Sequence, residues 1–400
     1  MYNNNYSKYE QILKHMKNII LILLSTFFTL SCQQEAELHQ DDRSIIHDYR
    51  DYVTNESVIK LEKIELTNTF DNPWSMEFIN DEMVVITEKE GGLSLVNLNT
   101  YKVSQIKHTI PLISYGQGGL LDITYYKDNL YISFTMKNNQ DKYTTAIGKG
   151  EFVPPYNEIN NFEILLEALP YLDSSKHFGS RLLIQEDNIY ATIGERGNGE
   201  LSQNPGNHIG SVVEINLNQT EASDRFDEYP DSLSEVYQIG LRNPQGLALS
   251  TNGRMYLSNH GAKGGDFIGL VLPGTNYGWN NIGWGGTNYI GTKIGNGEAF
   301  RDEYLKPIVS WVPSIAPSDI VFYKGDEFPE WSNDLLVTSL KFKMLLKISI
   351  NDGNVSNETI ILKDKIGRIR DVDVNSKGEI FLISDESNST IWKITNPKRK

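Results

Sequence analysis

The sequence predicts an all-β protein, a six-bladed β-propeller. Three observations carry this expectation. One strand-turn-strand unit recurs six times after residue 60, its turns are rich in Asp, Asn, Gly and Lys, and no long stretch holds a 3.6-residue apolar period with helix caps. The copies are WSMEFINDEMVVITE (74–88), GGLLDITYYKDNLYISF (118–134), SRLLIQEDNIYATIG (180–194), QGLALSTNGRMYLSN (245–259), SDIVFYKGDEFPEWSNDLLVTS (318–339) and RDVDVNSKGEIFLIS (370–384). They recur roughly every 60 residues, which leaves room for four strands and long connections per copy. Closing six such units into a ring leaves few long unprotected sheet edges.

The segment before the ring reads as a leader. Lys17 precedes a mostly apolar run at 18–31, and Cys32, the single cysteine among 400 residues, follows Ser31. The run is too short to favour a spanning helix and fits a secretory signal. Its end resembles a bacterial lipobox, with Thr29 a weak match at the first position. The expected division is therefore a lipoprotein signal at 1–32, a polar tether at 33–58 and the propeller at 59–396. The expected location is that of an exported lipoprotein held through lipid at Cys32, facing the periplasm or on the outer membrane.

The formal charge is -15, which excludes a general nucleic-acid binder. Any anion site must then be a local cluster. In each unit the first strand runs one way and the second returns, so residues just before the first and just after the second share one face of the ring. Those positions hold Trp74, Glu88, Gln117, His177, Glu195, Arg196, Arg242, Asn243, His260, Lys341, Arg368, Arg370 and Asp385. Five cations on one face of an acidic chain suit a multiply charged anion, gripped by guanidinium forks and an ammonium. Pairing of Arg with Glu or Asp across the channel is the structural alternative.

His177 is the candidate base, because imidazole titrates near neutrality and Glu195 could orient it. His260 could equally cap its loop. The glycine-rich HGAKGGD (260–266) could turn backbone carbonyls toward a hard cation such as Ca2+. NYGWNNIGWGGTNY (276–289) sets aromatic rings beside Asn side chains, which suits either a sugar or packing between blades. No HExxH, CxxC or Walker spacing points to zinc or a nucleotide.

Nine segments, in order, carry a resemblance: DNPWSMEF, GQGGLLD, HFGSRL, IGERG, GLRNPQGLAL, HGAKGGD, NYGW, PSIAPSDIVFY and GRIRDVDV. Together, over about residues 60 to 395, the chain resembles the soluble PQQ-dependent glucose/sorbosone dehydrogenase family, especially its aldose sugar dehydrogenase branch. The resemblance implies oxidation of an aldose at C1 to the lactone, with pyrroloquinoline quinone (PQQ) and Ca2+ as cofactors and an external electron acceptor. It implies His177 as base, oriented by Glu195, with Arg242 and Asn243 on the quinone oxygens. It further implies Lys341, Arg368 and Arg370 on the PQQ carboxylates, Gln117 toward the substrate, and the carbonyls of Gly261 and Ala262 on Ca2+. Relatives often have Pro where Ala262 stands, which a backbone ligand tolerates. A non-catalytic propeller that binds glycan or protein through the same face is the alternative from another class. A calcium-dependent lactonase is a third, and it would need converging carboxylates where this face carries mainly cations.

Overall fold

The structure is a computed structural model, and it describes residues 44–218, 225–226 and 228–399. The signal, Cys32 and the first part of the expected tether lie outside the described residues. From Ile45 onward the chain forms one compact unit. It is a closed ring of six sheets, each built on antiparallel strand pairs, as the repeats predict. The innermost strands are Pro73–Asn80, Leu120–Tyr126, Gly179–Gln185, Pro244–Leu249, Pro317–Phe322 and Ile369–Val374, here numbered blades 1 to 6. Each packs on the next, and the last packs on the first.

The apolar runs in the repeats are continuous because each blade is buried on both faces. Val84, Val85 and Ile86 of blade 1 are all fully buried. Since successive strand side chains point to opposite faces, Val84 and Ile86 pack with Phe381 and Ile383 of blade 6, while Val85 packs with Leu120 and Ile132 of blade 2. The cores thus lie between blades, and no blade is a stable unit alone. Blade 6 takes three strands from the C-terminal end and its fourth, Lys60–Lys63, from the start of the ring, pairing Ile394 with Leu61. That strand locks the circle.

The expected tether at 33–58 needs correction where it is described. Ile46–His47 adds a parallel strand to Ser310 and Trp311 at the outer edge of blade 4, and Val53–Thr54 does the same to Thr359 and Ile360 of blade 5. Between them Tyr49 is buried and stacks on Phe342, with centroids 4.1 Å apart, and the Trp311 indole N–H donates to the Tyr52 hydroxyl at 2.7 Å. The ring therefore begins near residue 45 rather than 59. Strands of two residues are too short to show an alternation, so this strap reads as irregular polar sequence.

Every innermost strand carries a register irregularity near its start. The shifts fall between Pro73 and Ser75, Leu120 and Ile123, Gly179 and Leu182, Pro244 and Gly246, Pro317 and Ile320, and Ile369 and Asp371. A bulge re-aims the extra side chain. Here the bulged positions include Trp74, Asp122, Arg181, Gln245, Asp319 and Arg370, which meet around the ring axis. Arg181 Nη1 donates to Asp122 at 2.8 Å and to Asp371 at 2.7 Å, and its Nε donates to the Gln245 carbonyl at 3.0 Å and lies 3.2 Å from Asp319. Its guanidinium sits 4.6 Å from the Trp74 ring. One side chain from blade 3 thereby touches the other five blades.

Replacing Arg181 with Met should cost about 3–5 kcal/mol, because three buried carboxylates would lose their cation. Chemical denaturation checks this, and part of the loss should return on acidification, which neutralises those carboxylates. An unchanged midpoint at neutral pH would show that the axis contributes little.

Candidate active site

The bulges also build the site. At the end of the ring where the innermost strands begin lies a cavity of about 270 Å³, lined by Trp74, Gln117, Asn243, Gln245, His260, Arg368, Arg370 and Asp385, with Lys89 and Asn72 at its side. His177, Arg242 and Lys341 flank lining residues in the chain, namely Phe178, Asn243 and Leu340. The sequence-derived face is thus a real surface with a hollow at its centre.

His177 and Glu195 come together as expected: Nδ1 of the imidazole hydrogen-bonds the Glu195 carboxylate. The backbone around them is fixed on three sides. The His177 N–H donates to Gln117 Oε1 at 2.8 Å, the Arg196 N–H to the His177 carbonyl at 3.3 Å, and the Glu195 N–H to the Arg242 carbonyl at 2.7 Å. His177 itself adopts φ 51°, a left-handed conformation that costs a non-glycine residue energy and is held by these contacts. A Cβ on Gly194 would lie 2.0 Å from the His177 carbonyl, which explains the glycine that opens GERG. Burial lowers the imidazole pKa, and Arg242 adds to this, against the opposing pull of Glu195. The ring is therefore neutral near pH 7, and with its Nδ1–H donating to the Glu195 carboxylate its Nε2 lone pair has no partner among the described residues.

The cations divide into two kinds. Arg368 and Arg370 share one carboxylate: Arg368 Nη2 donates to Asp385 at 3.1 Å and Arg370 Nη2 at 3.0 Å. Burial works against ionisation of Asp385, but the two guanidinium groups hold its pKa below the ordinary range. The expected pairing with acids thus does occur, yet it leaves one positive charge in excess. Arg370 is braced further by Gln245 Oε1 at 3.1 Å and stands 5.5 Å from the Trp74 ring. Arg242 and Lys341 form no ion pair among the described residues. The Arg242 guanidinium rests 5.4 Å from the Trp279 ring and donates to the Tyr289 hydroxyl at 3.4 Å, while Lys341, at the tip of a turn, lies 5.1 Å from the Phe342 ring.

Arg196 is corrected. Its side chain is buried, donates to the carbonyls of Lys176, Tyr143 and Ser174, and covers the Phe178 ring at 3.6 Å. Burial pushes its pKa down to about 9 despite Glu195. It holds the His177 loop, its N–H groups spent on backbone carbonyls. His260 is structural too: Nε2 donates to the Pro317 carbonyl at 2.6 Å, and burial pushes the ring pKa down to about 3, so it carries no charge. The aromatic run 276–289 mostly packs the core. Tyr277 and Trp284 are fully buried against Phe267, Trp279 reaches Arg242, and Tyr289, 69% exposed, stands at the rim.

The loop 260–266 is organised by its own acid, to which the sequence assigns no role. Asp266 accepts from the Gly261 N–H at 2.8 Å, the Ser314 hydroxyl at 2.7 Å and the Ala316 N–H at 2.7 Å. The carbonyls of Gly261 and Ala262 accept no hydrogen bond among the described residues. Two bare carbonyls in a buried turn suit a hard cation. Asn259 was missed likewise: fully buried, it takes the N–H groups of Arg242 and Asn243 at 3.1 and 3.0 Å. Gln245 sits inside the motif GLRNPQGLAL, but only the bulge turns it inward, and a bulge leaves no mark in composition.

The sequence matches the glucose/sorbosone dehydrogenase family over residues 70–393. It is 30% identical over 342 residues to the aldose sugar dehydrogenase YliI of Escherichia coli, covering 82% of this chain and 91% of that one. It is 25% identical over 417 residues to the quinoprotein glucose dehydrogenase B of Acinetobacter calcoaceticus, covering 83% and 86%. The crystal structure of the soluble aldose sugar dehydrogenase from Escherichia coli, in its apo form, agrees with a TM-score of 0.80 at 28% identity, over 84% of this chain and 99% of that one. The matched span contains all six innermost strand pairs and every site residue described above, from Trp74 on the floor to Asp385 on the wall, so the chain belongs to the glucose/sorbosone dehydrogenase family of oxidoreductases.

Proposed function

We propose that the protein oxidises aldose sugars at C1 to lactones, with PQQ as hydride acceptor, Ca2+ beside it and an external acceptor for the electrons. The observation that carries this reading is the union of a neutral, oriented imidazole with a wall of donors in surplus over acceptors. Arg242 and Lys341 lack a carboxylate among the described residues, and Arg368 and Arg370 share one. Such a wall fits a tricarboxylate whose quinone oxygens only accept, and the quinoprotein relative makes PQQ the natural candidate. The bare carbonyls of Gly261 and Ala262 fit Ca2+.

PQQ, when bound, supplies a two-electron sink for the hydride at C1. Nε2 of His177 takes the proton of the C1 hydroxyl, and Glu195 stabilises the imidazolium that forms. Arg242 and Asn243 would donate to the quinone oxygens and stabilise negative charge there. Lys341, Arg368 and Arg370 would hold the PQQ carboxylates. Gln117 spends Oε1 on the His177 N–H, which leaves Nε2 to meet a sugar hydroxyl. Export and lipid attachment through Cys32 complete the reading and rest on the leader sequence at 16–32 alone.

Purified protein, apo and then reconstituted with PQQ and Ca2+, should reduce a dye with aldoses only after both additions. Tight PQQ binding without turnover would point to another substrate or acceptor, and no binding would favour the glycan- or protein-binding propeller. His177→Ala should lower kcat by about 10²- to 10⁴-fold with PQQ affinity retained; a variant that merely loses PQQ would refute the assigned role.

The pH profile follows from the lowered imidazole pKa: the neutral base persists below its ordinary value of about 6.5, so the acid limb of kcat/KM should lie below that value. Glu195→Gln removes a contribution that raises this pKa, so the limb should move to still lower pH while kcat drops. A limb that moves upward would contradict the pairing. Arg368→Ala should weaken PQQ about 10- to 100-fold, with kcat kept at saturating PQQ; equilibrium titration of the apo protein reads this directly.

A further inference from the structure

Gln245 is the bulged residue of blade 4, 8% exposed, and lines the cavity floor. Its amide makes three side-chain hydrogen bonds. Arg370 Nη1 donates to Oε1 at 3.1 Å, and Nε2 donates to the Gly179 carbonyl at 3.1 Å and to Asn243 Oδ1 at 3.2 Å. The orientation is not free. A guanidinium has only donors and a carbonyl only accepts, so the Arg370 contact demands Oε1 and the Gly179 contact demands Nε2.

This polarity passes on to Asn243. Its Oδ1 receives Gln245 Nε2 and also the Gly179 N–H at 3.2 Å, so the carbonyl end of the amide is engaged twice. Its Nδ2 has no partner among the described residues, and Asn243 lines the cavity. Were the amide turned over, two donors would face its NH2 group and its oxygen would face the cavity. The chain Arg370, Gln245, Asn243 thus runs donor to acceptor in one sense and ends in a donor.

We propose that Gln245 is a positioning residue that sets the amide of Asn243 with its NH2 toward the cavity while holding Arg370, so that two distant parts of the wall present donors together to an acceptor-only ligand. The proposal rests on the reading of that ligand as PQQ. It links the quinone end of the site, where Asn243 would act, with the carboxylate end, where Arg370 would act. Gln245 touches the reacting atoms at neither end and acts through these two residues.

The test is a double-mutant cycle on the full protein, read as the dissociation constant of PQQ in the presence of Ca2+ and as kcat and KM for the sugar. Gln245→Glu keeps the size and the acceptor for Arg370 but replaces the Nε2 donor with an oxygen, which sets two acceptors face to face at Asn243 Oδ1 and leaves the Gly179 N–H as the one contact that still orients that amide. It should weaken PQQ about tenfold or more and lower kcat while sugar KM holds. In an Asn243→Ala background the same change should have a much smaller effect. If Gln245→Glu fails to fold, Gln245→Met, of similar volume and without either polar atom, is measured in the same cycle and should show the same dependence on Asn243. Equal losses in both backgrounds would overturn the positioning role and leave the functional reading standing. Failure of the unaltered protein to bind PQQ would overturn both.

Discussion

A single buried cation, Arg181, organises the axis of the ring. Taking a guanidinium out of water is costly unless good partners replace the lost hydration. No one blade could provide them. Asp122 comes from blade 2, Asp319 from blade 5, Asp371 from blade 6, the Gln245 carbonyl from blade 4 and the face of Trp74 from blade 1. The partners are themselves tied down: Ser75 donates to Asp122, and the Met76 N–H to Asp371. Three carboxylates exceed one cation, and burial pushes Asp319 well above the usual carboxylate range although Arg181 pulls the other way. These partners meet only when the circle is complete, so closure and burial of this charge depend on one another.

The same network underlies the candidate active-site face. Arg181 bonds the backbone of Gln245, and the side chain of Gln245 bonds Arg370 and Asn243. Asn259, Asp266 and Asp385 do comparable work for the Arg242 turn, the 260–266 loop and the paired arginines. Donors fixed in advance need no reorganisation when charge appears on a bound group. Stability and chemistry therefore draw on one set of contacts, each residue behind the wall holding one or two on its surface.

How much of this the sequence discloses follows from period and distance. The six strand pairs were legible because short apolar runs joined by turn residues recur, and the shared face followed from strand direction alone. His177 beside Glu195 could be anticipated for the same reason, since both flank one hairpin. What escaped were features that depend on a local break in the ladder or on contacts across blades. Arg181 looks like a strand residue until a bulge turns it to the axis, and Gln245 likewise. Arg196 looks like a ligand cation because the sequence cannot show the carbonyls of Tyr143, Ser174 and Lys176 gathered around it. The strap at 46–54 escaped because its strands are two residues long and find their partners some 250 to 310 residues away.

That strap has a mechanical meaning. Parallel hydrogen-bonded strands pulled along their length load their bonds side by side, in shear. A force entering the chain at Ile45 first meets the pairing with blade 4, then the Tyr49 and Phe342 stack, then the pairing with blade 5, and only afterwards the locking strand at Lys60–Lys63. Tension from anything attached upstream is spread along the rim of the ring before it can reach the one strand whose release would open the circle.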